Sequence, residues 1–147
     1  MHIITDLDTG GAEMMLYKLL TSLRDKSLTS SVVSLMGRGP ITERIEALGV
    51  NVETIDLEQG ERPSWKAIKE LRQFVRVFNP DVVQGWMYHG NIAATVAVFL
   101  FDPMCRKVKL FWNVRQTLYD LSREKMQTRW LIVLGRWLSF FPHSIIY

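Results

Sequence analysis

Residues 2–13 read HIITDLDTGGAE, and this stretch decides the fold that the sequence predicts. Residues 2–5 are typical of a buried strand, residues 6–9 form a polar turn, and Ala12 begins a predicted helix. Gly10 and Gly11 stand between turn and helix, where glycine lets a ligand approach the backbone. The free N–H groups and the positive end of the helix dipole would face an anion there. The stretch therefore predicts a phosphate-binding turn. The alternative is a plain connection that needs glycine for a positive φ.

Strands and helices alternate along the rest of the chain. Further strands are predicted at residues 31–36, 50–57, 81–86, 108–114 and 144–147, and helices at residues 12–23, 41–48, 65–78, 91–101 and 118–140. Short apolar strands separated by helices indicate a parallel sheet that is covered on both faces. Right-handed crossovers then make it a doubly wound, Rossmann-like α/β domain of about six strands.

Size and composition suit one domain. The chain has 147 residues, of which 48% are hydrophobic, so it can bury enough surface to fold. Cys105 is the single cysteine, which excludes an internal disulfide and fits a reducing, cytoplasmic compartment. The longest apolar run, residues 92–101, is too short to span a bilayer and predicts a buried helix.

Charge is divided unevenly along the chain. Residues 1–105 carry a net charge of −3, whereas residues 106–147 carry +6. This basic third predicts an anionic partner, either a phosphorylated substrate or a lipid surface. The predicted helix at residues 118–140 combines arginines with tryptophans, which is typical of peripheral contact with the inner face of a membrane. The more common alternative is that Trp130, Leu134, Trp137 and Phe141 pack inward while the basic residues meet water.

In sheets of this type, ligands bind beyond the carboxyl ends of the strands. Candidate binding residues follow the first, fourth and fifth predicted strands, at residues 6–11, 86–91 and 113–119. If the strands lie in the order 3-2-1-4-5-6, these segments leave neighbouring strands and line one cleft. Trp86 and Tyr88 could stack on a sugar ring or a base, although packing is the more common role of such aromatic residues.

Two side chains in these segments carry the most chemistry. His89, on a predicted loop at residues 87–90, can bond a hydroxyl or a phosphate or move a proton near neutral pH. The alternative is a surface histidine that bonds local backbone. Arg115 suits bidentate recognition of a phosphate or a carboxylate, and its alternative is a salt bridge to a neighbour such as Asp120. Tyr119 follows in the same segment. The predicted substrate-binding set is therefore Gly10, Gly11, His89, Arg115 and Tyr119.

Several other chemistries lack their sequence patterns. His2, His89 and His143 lie in separate elements without the spacing of metal ligands, so no metal site is predicted. Neither a Gly-x-Ser-x-Gly elbow nor a Gly-x-x-x-x-Gly-Lys-Ser/Thr loop occurs. The first turn also lacks Gly-x-Gly-x-x-Gly, which argues against a nicotinamide-dependent enzyme of the same sheet type. No nucleic-acid partner is predicted.

The motif Asp-Thr-Gly-Gly-Ala-Glu at residues 8–13, followed by an apolar helix, resembles the opening of family 4 retaining glycosyltransferases of the GT-B fold. Similar features follow in the same order as in that family. They are Gly-Pro at residues 39–40, Leu-Gly-Val at 48–50, Asn-Pro-Asp-Val-Val at 79–83 before His89, and Trp-Asn-Val-Arg at 112–115. The resemblance extends over essentially the whole chain.

The resemblance implies an active site between two Rossmann-like domains, of which residues 1–147 form the N-terminal, acceptor-side domain. The donor-binding domain, with its Glu-x7-Glu type motif, lies outside this chain. Gly10 and Gly11 would approach the donor phosphate or the acceptor, and His89 matches a substrate-contacting histidine. Where family members often carry a histidine after the fifth strand, this chain has Arg115.

By resemblance, the whole protein would transfer a sugar from a nucleotide-sugar donor to a glycan or lipid-linked acceptor, retaining the anomeric configuration. Cell-envelope or capsular polysaccharide synthesis is the expected setting, without a metal or a further cofactor. The chain alone is expected to be inactive, because one domain does not stabilise a transition state held between two. The alternative is a non-catalytic Rossmann-like module that binds a nucleotide or a phosphosugar.

Overall fold

The computed structural model describes residues 1–24, 26–58, 64–102, 107–114 and 136–146. Within these ranges the strands and helices alternate as the sequence predicts. In chain order they are β1 (His2–Ile4), α1 (Gly11–Leu23), β2 (Ser31–Ser34), α2 (Pro40–Glu46), β3 (Asn51–Thr54), α3 (Trp65–Phe78), β4 (Val82–Trp86), α4 (Met87–Phe101), β5 (Lys109–Asn113) and β6 (Ser144–Ile146).

The strands form one six-stranded sheet in the order β3-β2-β1-β4-β5-β6. Every neighbouring pair is parallel. The order reverses between β1 and β4, which is the switch point of a doubly wound sheet. The predicted Rossmann-like α/β fold is therefore confirmed, and the strands lie in the order 3-2-1-4-5-6 that the shared cleft requires.

The core lies on both faces of the sheet, because successive side chains of a strand point to opposite faces. Ile4 and Val32 pack with α1 and α2 on one face. Ile3 and Val33 pack with α3 and α4 on the other face. Burial on both faces explains why these strands are continuously apolar instead of alternating.

Helix ends follow the sequence signals closely. Ser64 caps α3 by accepting a hydrogen bond from the Ala67 N–H at 3.2 Å. Asn79 ends the same helix in the left-handed conformation, with φ 49°, just before Pro80. Gly49 has φ 82° beyond α2, as expected of a glycine at a helix C-terminus. The strands β2, β3 and β5 are each shorter than predicted. Backbone hydrogen bonds nevertheless continue past the end of β2, where the Leu35 N–H donates to the Ile4 carbonyl at 2.9 Å.

The predicted helix at residues 118–140 lies mostly outside the described residues. Its last part is helical at residues 136–138. Trp137 is 72% exposed, so the expectation that it packs inward is wrong. Phe141 packs its ring edge-on against Phe99, with centroids 4.6 Å apart. In the described part of the chain, no helix is long and apolar enough to cross a membrane.

Candidate functional site at the carboxyl edge of the sheet

The strand order brings the starts of all three predicted segments to one edge of the sheet. β1 pairs with β4, and β4 pairs with β5, so their carboxyl ends are neighbours at one edge of the sheet. Helices α1 and α4 begin at this edge, directly beyond β1 and β4. The turn before α1 and the start of α4 therefore flank the switch point, where ligands bind in sheets of this type.

The turn between β1 and α1 is held by its own carboxylates and by α2. Asp6 Oδ1 accepts from the Asp8 N–H, and Asp8 Oδ1 accepts from the Thr9 N–H, both at 3.1 Å. The Leu7 carbonyl accepts from the Ile41 N–H at 3.1 Å, which fixes the turn against the start of α2. These bonds tie the turn to itself and to the start of α2.

Gly10 and Gly11 differ in what a side chain would meet. A Cβ on Gly10 would collide with the Glu13 carboxylate. A Cβ on Gly11 would have no atom within 4 Å, so this position faces open space. Gly10 has φ −140°, and Gly11 opens α1, so neither glycine serves a positive φ. A positive φ is therefore not the reason for either glycine, and at Gly10 the Glu13 carboxylate supplies a steric reason instead.

The electrostatic surroundings of this turn are acidic. Glu13 is only 9% exposed and folds back toward Gly10. Burial raises the pKa of Glu13, a hydrogen bond from its own backbone opposes that shift, and the nearby Asp6 and Asp8 raise it further. A phosphate at Gly10 and Gly11 would meet three carboxylates, whereas a sugar hydroxyl would find three hydrogen-bond acceptors.

Beyond β4 the structure differs from the predicted loop at residues 87–90. Helix α4 begins at Met87, directly after Trp86, and His89 is its third residue. Met87 makes the bend with φ 62°, a left-handed conformation that side chains rarely adopt. The absence of a loop was not predictable from periodicity, because a helix start and a short polar loop look alike over four residues.

Two glycines allow α4 to begin so close to the sheet. A Cβ on Gly90 would lie 2.7 Å from the Ile3 carbonyl oxygen in β1. A Cβ on Gly85 in β4 would lie 2.5 Å from the Asn91 Cα. Both positions are thus filled by backbone, and this packing fixes the first turn of α4, with His89, above the ends of β1 and β4.

His89 is exposed at this edge. Partial desolvation of its ring lowers the pKa of His89 below the ordinary value for histidine. The imidazole is therefore mainly neutral near pH 7, with one nitrogen that donates and one that accepts. Such a ring can bond a hydroxyl group in either direction.

Trp86 packs in the core and is 1% exposed, so packing is confirmed over ligand stacking for this residue. Its indole Nε1–H donates to His2 Nδ1 at 3.3 Å. Burial, and then the positive charge of the N-terminal amine, lower the pKa of His2 to about 3. His2 is therefore a neutral acceptor beneath the switch point and belongs to the packing of the sheet.

One feature of the edge was absent from the sequence prediction. The Asn91 side chain joins α4 to the end of β5 through two hydrogen bonds with the backbone of Asn113. Asparagine four residues after the start of an apolar helix was the available signal, since a buried amide requires partners. Arg115 and Tyr119 lie outside the described residues, so their predicted roles stay predictions.

Elsewhere, the described residues form a cavity but no cluster of metal ligands. No group of three or more His, Cys, Asp or Glu side chains that could hold a metal ion is found among them. A cavity of about 210 Å³ lies between the end of α1 and the residues that precede β2 and β3. It therefore opens at the amino edge of the sheet, opposite the switch point.

Comparison with known proteins gives little. No family model matches the chain, and no curated protein sequence matches it. Among solved structures it is similar to a probable glycerol dehydrogenase from Sinorhizobium meliloti 1021, with 11% identity and a TM-score of 0.39. The similarity covers 77% of this chain and 28% of the dehydrogenase chain. Likeness of this degree carries no inference, and membership of glycosyltransferase family 4 stays a prediction.

Proposed function

We propose that this chain is the acceptor-side domain of a retaining glycosyltransferase of the GT-B fold. The proposal rests on the family 4 sequence motifs together with one structural observation. Where the order of strands reverses, an open glycine at the start of α1 and an exposed histidine at the start of α4 flank the same edge.

The capping of the helices supports a ligand at this edge. Ser64 caps α3 with its side chain, and in the first turn of α2 the Ile41 N–H donates to the Leu7 carbonyl at 3.1 Å. The residues before α1 and α4, Gly10 and Trp86, make no side-chain capping bond. At α1 the Glu13 carboxylate bonds its own N–H, and the N–H groups that precede it are the ones a ligand would meet.

The charges support a hydroxyl-bearing acceptor at the turn before α1. Asp6, Asp8 and Glu13 oppose a phosphate there and favour the hydroxyls of a glycan or a lipid-linked sugar. The predicted anion contact then falls to Arg115. In this proposal the nucleotide-sugar donor is a substrate held mainly by a second domain, no further cofactor takes part, and the basic third faces an anionic membrane surface.

Sugar transfer is the decisive assay. The full protein that carries this domain is incubated with nucleotide-sugar donors and glycan or lipid-linked acceptors, and product is identified by mass spectrometry and anomeric NMR. We expect transfer with retention, and a His89→Ala variant that loses at least about tenfold in kcat/KM, as lost substrate hydrogen bonding predicts. His143→Ala, on the exposed segment before β6, is the matched control. Binding of nucleotides without transfer would favour the non-catalytic module instead.

A further inference from the structure

The side chain of Asn91 connects the start of α4 to the end of β5 at the carboxyl edge of the sheet. Asn91 is 2% exposed, and its Nδ2–H donates to the Asn113 carbonyl at 3.4 Å. Its Oδ1 accepts from the Asn113 N–H at 3.3 Å. Asn113 ends β5, and its register partner Trp86 ends β4. The Asn91 amide therefore bonds the backbone of Asn113 as the residue after Trp86 would have done if β4 had continued.

The surroundings hold Asn91 in a single position. Gly85 lies directly beneath it, where a Cβ would come within 2.7 Å of Asn91 Oδ1. Thr95 Oγ1 donates to the Asn91 carbonyl at 2.8 Å and accepts from the Trp112 indole N–H at 3.0 Å. Both the backbone and the amide of Asn91 are thus fixed between β4, β5 and α4.

Burying an amide costs free energy unless its partners are met, so an apolar residue would fill this space more cheaply. What asparagine adds is geometry, because its two bonds require the backbone of Asn113 at a fixed distance and angle. His89 is two residues before Asn91 on the same helix, and Arg115 is two residues after Asn113.

We propose that Asn91 is a positioning residue that sets the separation between the start of α4, with His89, and the end of β5. Its importance for catalysis rests on the proposed function, since His89 and Arg115 are the side chains assigned there to substrate. The geometric claim concerns this chain alone and is tested without substrate.

The first test is made on the isotope-labelled full chain by NMR. In Asn91→Ala we expect the amide of Asn113 to exchange at least about tenfold faster, because it loses its acceptor. The ring signals of His89 shift as the start of α4 moves. Asn91→Asp keeps an acceptor oxygen for the Asn113 N–H and, at about pH 4 to 5 where a buried carboxyl is protonated, can still donate to the Asn113 carbonyl. Under those conditions the Asn113 amide should exchange within about threefold of the parent rate, because no hydrogen bond is lost.

Ser34→Ala is the matched control, since it removes a buried side-chain hydrogen bond at the end of β2 and contacts neither Asn91 nor Asn113. Equal changes at Asn113 and His89 in Ser34→Ala and Asn91→Ala would overturn the proposal, as would an unchanged Asn113 amide in Asn91→Ala. If Asn91→Ala fails to fold, Asn91→Asp decides: fast exchange at Asn113 contradicts the proposal and slow exchange supports it.

The second test uses the sugar-transfer assay. Asn91→Ala should lower kcat at least about tenfold, the effect of roughly 1.4 kcal/mol, with a smaller change in KM. Ser34→Ala should stay near the parent value. An Asn91→Ala enzyme with the parent kcat would overturn the positioning role. Absence of transfer by the parent protein itself would contradict the proposed function. The NMR result would still decide whether Asn91 fixes the start of α4 relative to the end of β5.

Discussion

The outer helices, α2 and α3, and the central helices, α1 and α4, begin at the same edge of the sheet. They differ in how the N–H groups of their first turns are bonded. Ser64 caps α3 with its side chain, and the Ile41 N–H at the start of α2 donates to the Leu7 carbonyl. α1 and α4 begin after Gly10 and Trp86, which make no side-chain capping bond. The difference separates helix starts that find partners within the fold from the two helix starts to which the proposed function assigns a ligand.

A second contrast lies within the central region itself. A side chain on Gly90 would run into the backbone of β1, whereas a side chain on Gly11 would meet open space. Gly90 is therefore explained by packing, and Gly11 is not. Substitutions at these two positions should have opposite effects on stability, which makes them the sharpest way to test the comparison.

The largest effect is expected at the packed glycine. Gly90→Ala places a methyl group 2.7 Å from the Ile3 carbonyl oxygen, so α4 must move away from β1. We expect the free energy of unfolding to fall by about 3 kcal/mol, the upper part of the range for overpacking. Urea unfolding followed by tryptophan fluorescence measures this. A loss below about 0.5 kcal/mol, the usual scatter of surface substitutions, would mean that α4 is not held against the sheet.

The next effect is the pH dependence of stability that buried His2 causes. Burial lowers the pKa of His2 to about 3 in the folded chain, whereas histidine in the unfolded chain titrates near 6.5. The unfolded chain therefore takes up a proton that the folded chain refuses, and stability falls as the pH drops from 6.5 toward 3. Between pH 7 and 5 this loss amounts to about 2 kcal/mol.

His2→Gln tests this pH dependence, because glutamine still offers Trp86 an acceptor but does not titrate. We expect the variant to lose about 2 kcal/mol less stability than the parent between pH 7 and 5. His143→Gln, at an exposed position, should follow the parent curve. Parallel curves for the parent and His2→Gln would show that His2 is not buried as a neutral group.

A smaller effect is expected at an outer cap. Ser64→Ala removes the acceptor for the Ala67 N–H and should lower the free energy of unfolding by about 1 kcal/mol. Because this region completes its own bonds, sugar transfer per folded molecule should not change. Reduced transfer in a folded Ser64→Ala enzyme would contradict the claim that only the central helices contribute to the site.

The smallest effect on stability, with the opposite sign, is expected at the open glycine. Gly11→Ala reduces the freedom of the unfolded chain and meets no atom in the fold, so stability should rise by about 0.5 kcal/mol. Thermal unfolding at matched concentration measures this. A decrease in melting temperature would mean that Gly11 is required by the fold and carries no evidence for a ligand.

The fold could be predicted from the sequence because its signals are local and agree with one another. Ser64 and Asn79 mark the ends of α3, which matches the predicted bounds, and apolar runs mark the strands of a sheet buried on both faces. The doubly wound sheet followed from the alternation of strands and helices together with right-handed crossovers, whereas the order of its strands entered only as a condition.

The site was less predictable because its geometry depends on contacts distant in sequence. Gly85 and Gly90 matter through backbone that lies beside them only after folding, and Asn91 finds Asn113 across 22 residues. Periodicity placed a loop before α4, since it cannot register the bend at Met87. The sequence also could not predict that the Glu13 carboxylate folds back toward Gly10, which makes the turn more acidic than Asp6 and Asp8 alone would.

The most direct test of the central claim, that a ligand binds at the switch point, is an NMR titration of the labelled chain with glucose, galactose, N-acetylglucosamine and uridine diphosphate. The parent chain is compared with Gly11→Leu, which fills the open edge. We predict amide shifts at Gly10, Gly11 and His89 with at least one sugar, and their loss in a folded Gly11→Leu variant. Shifts confined to the cavity at the amino edge, or unchanged in Gly11→Leu, would contradict the claim.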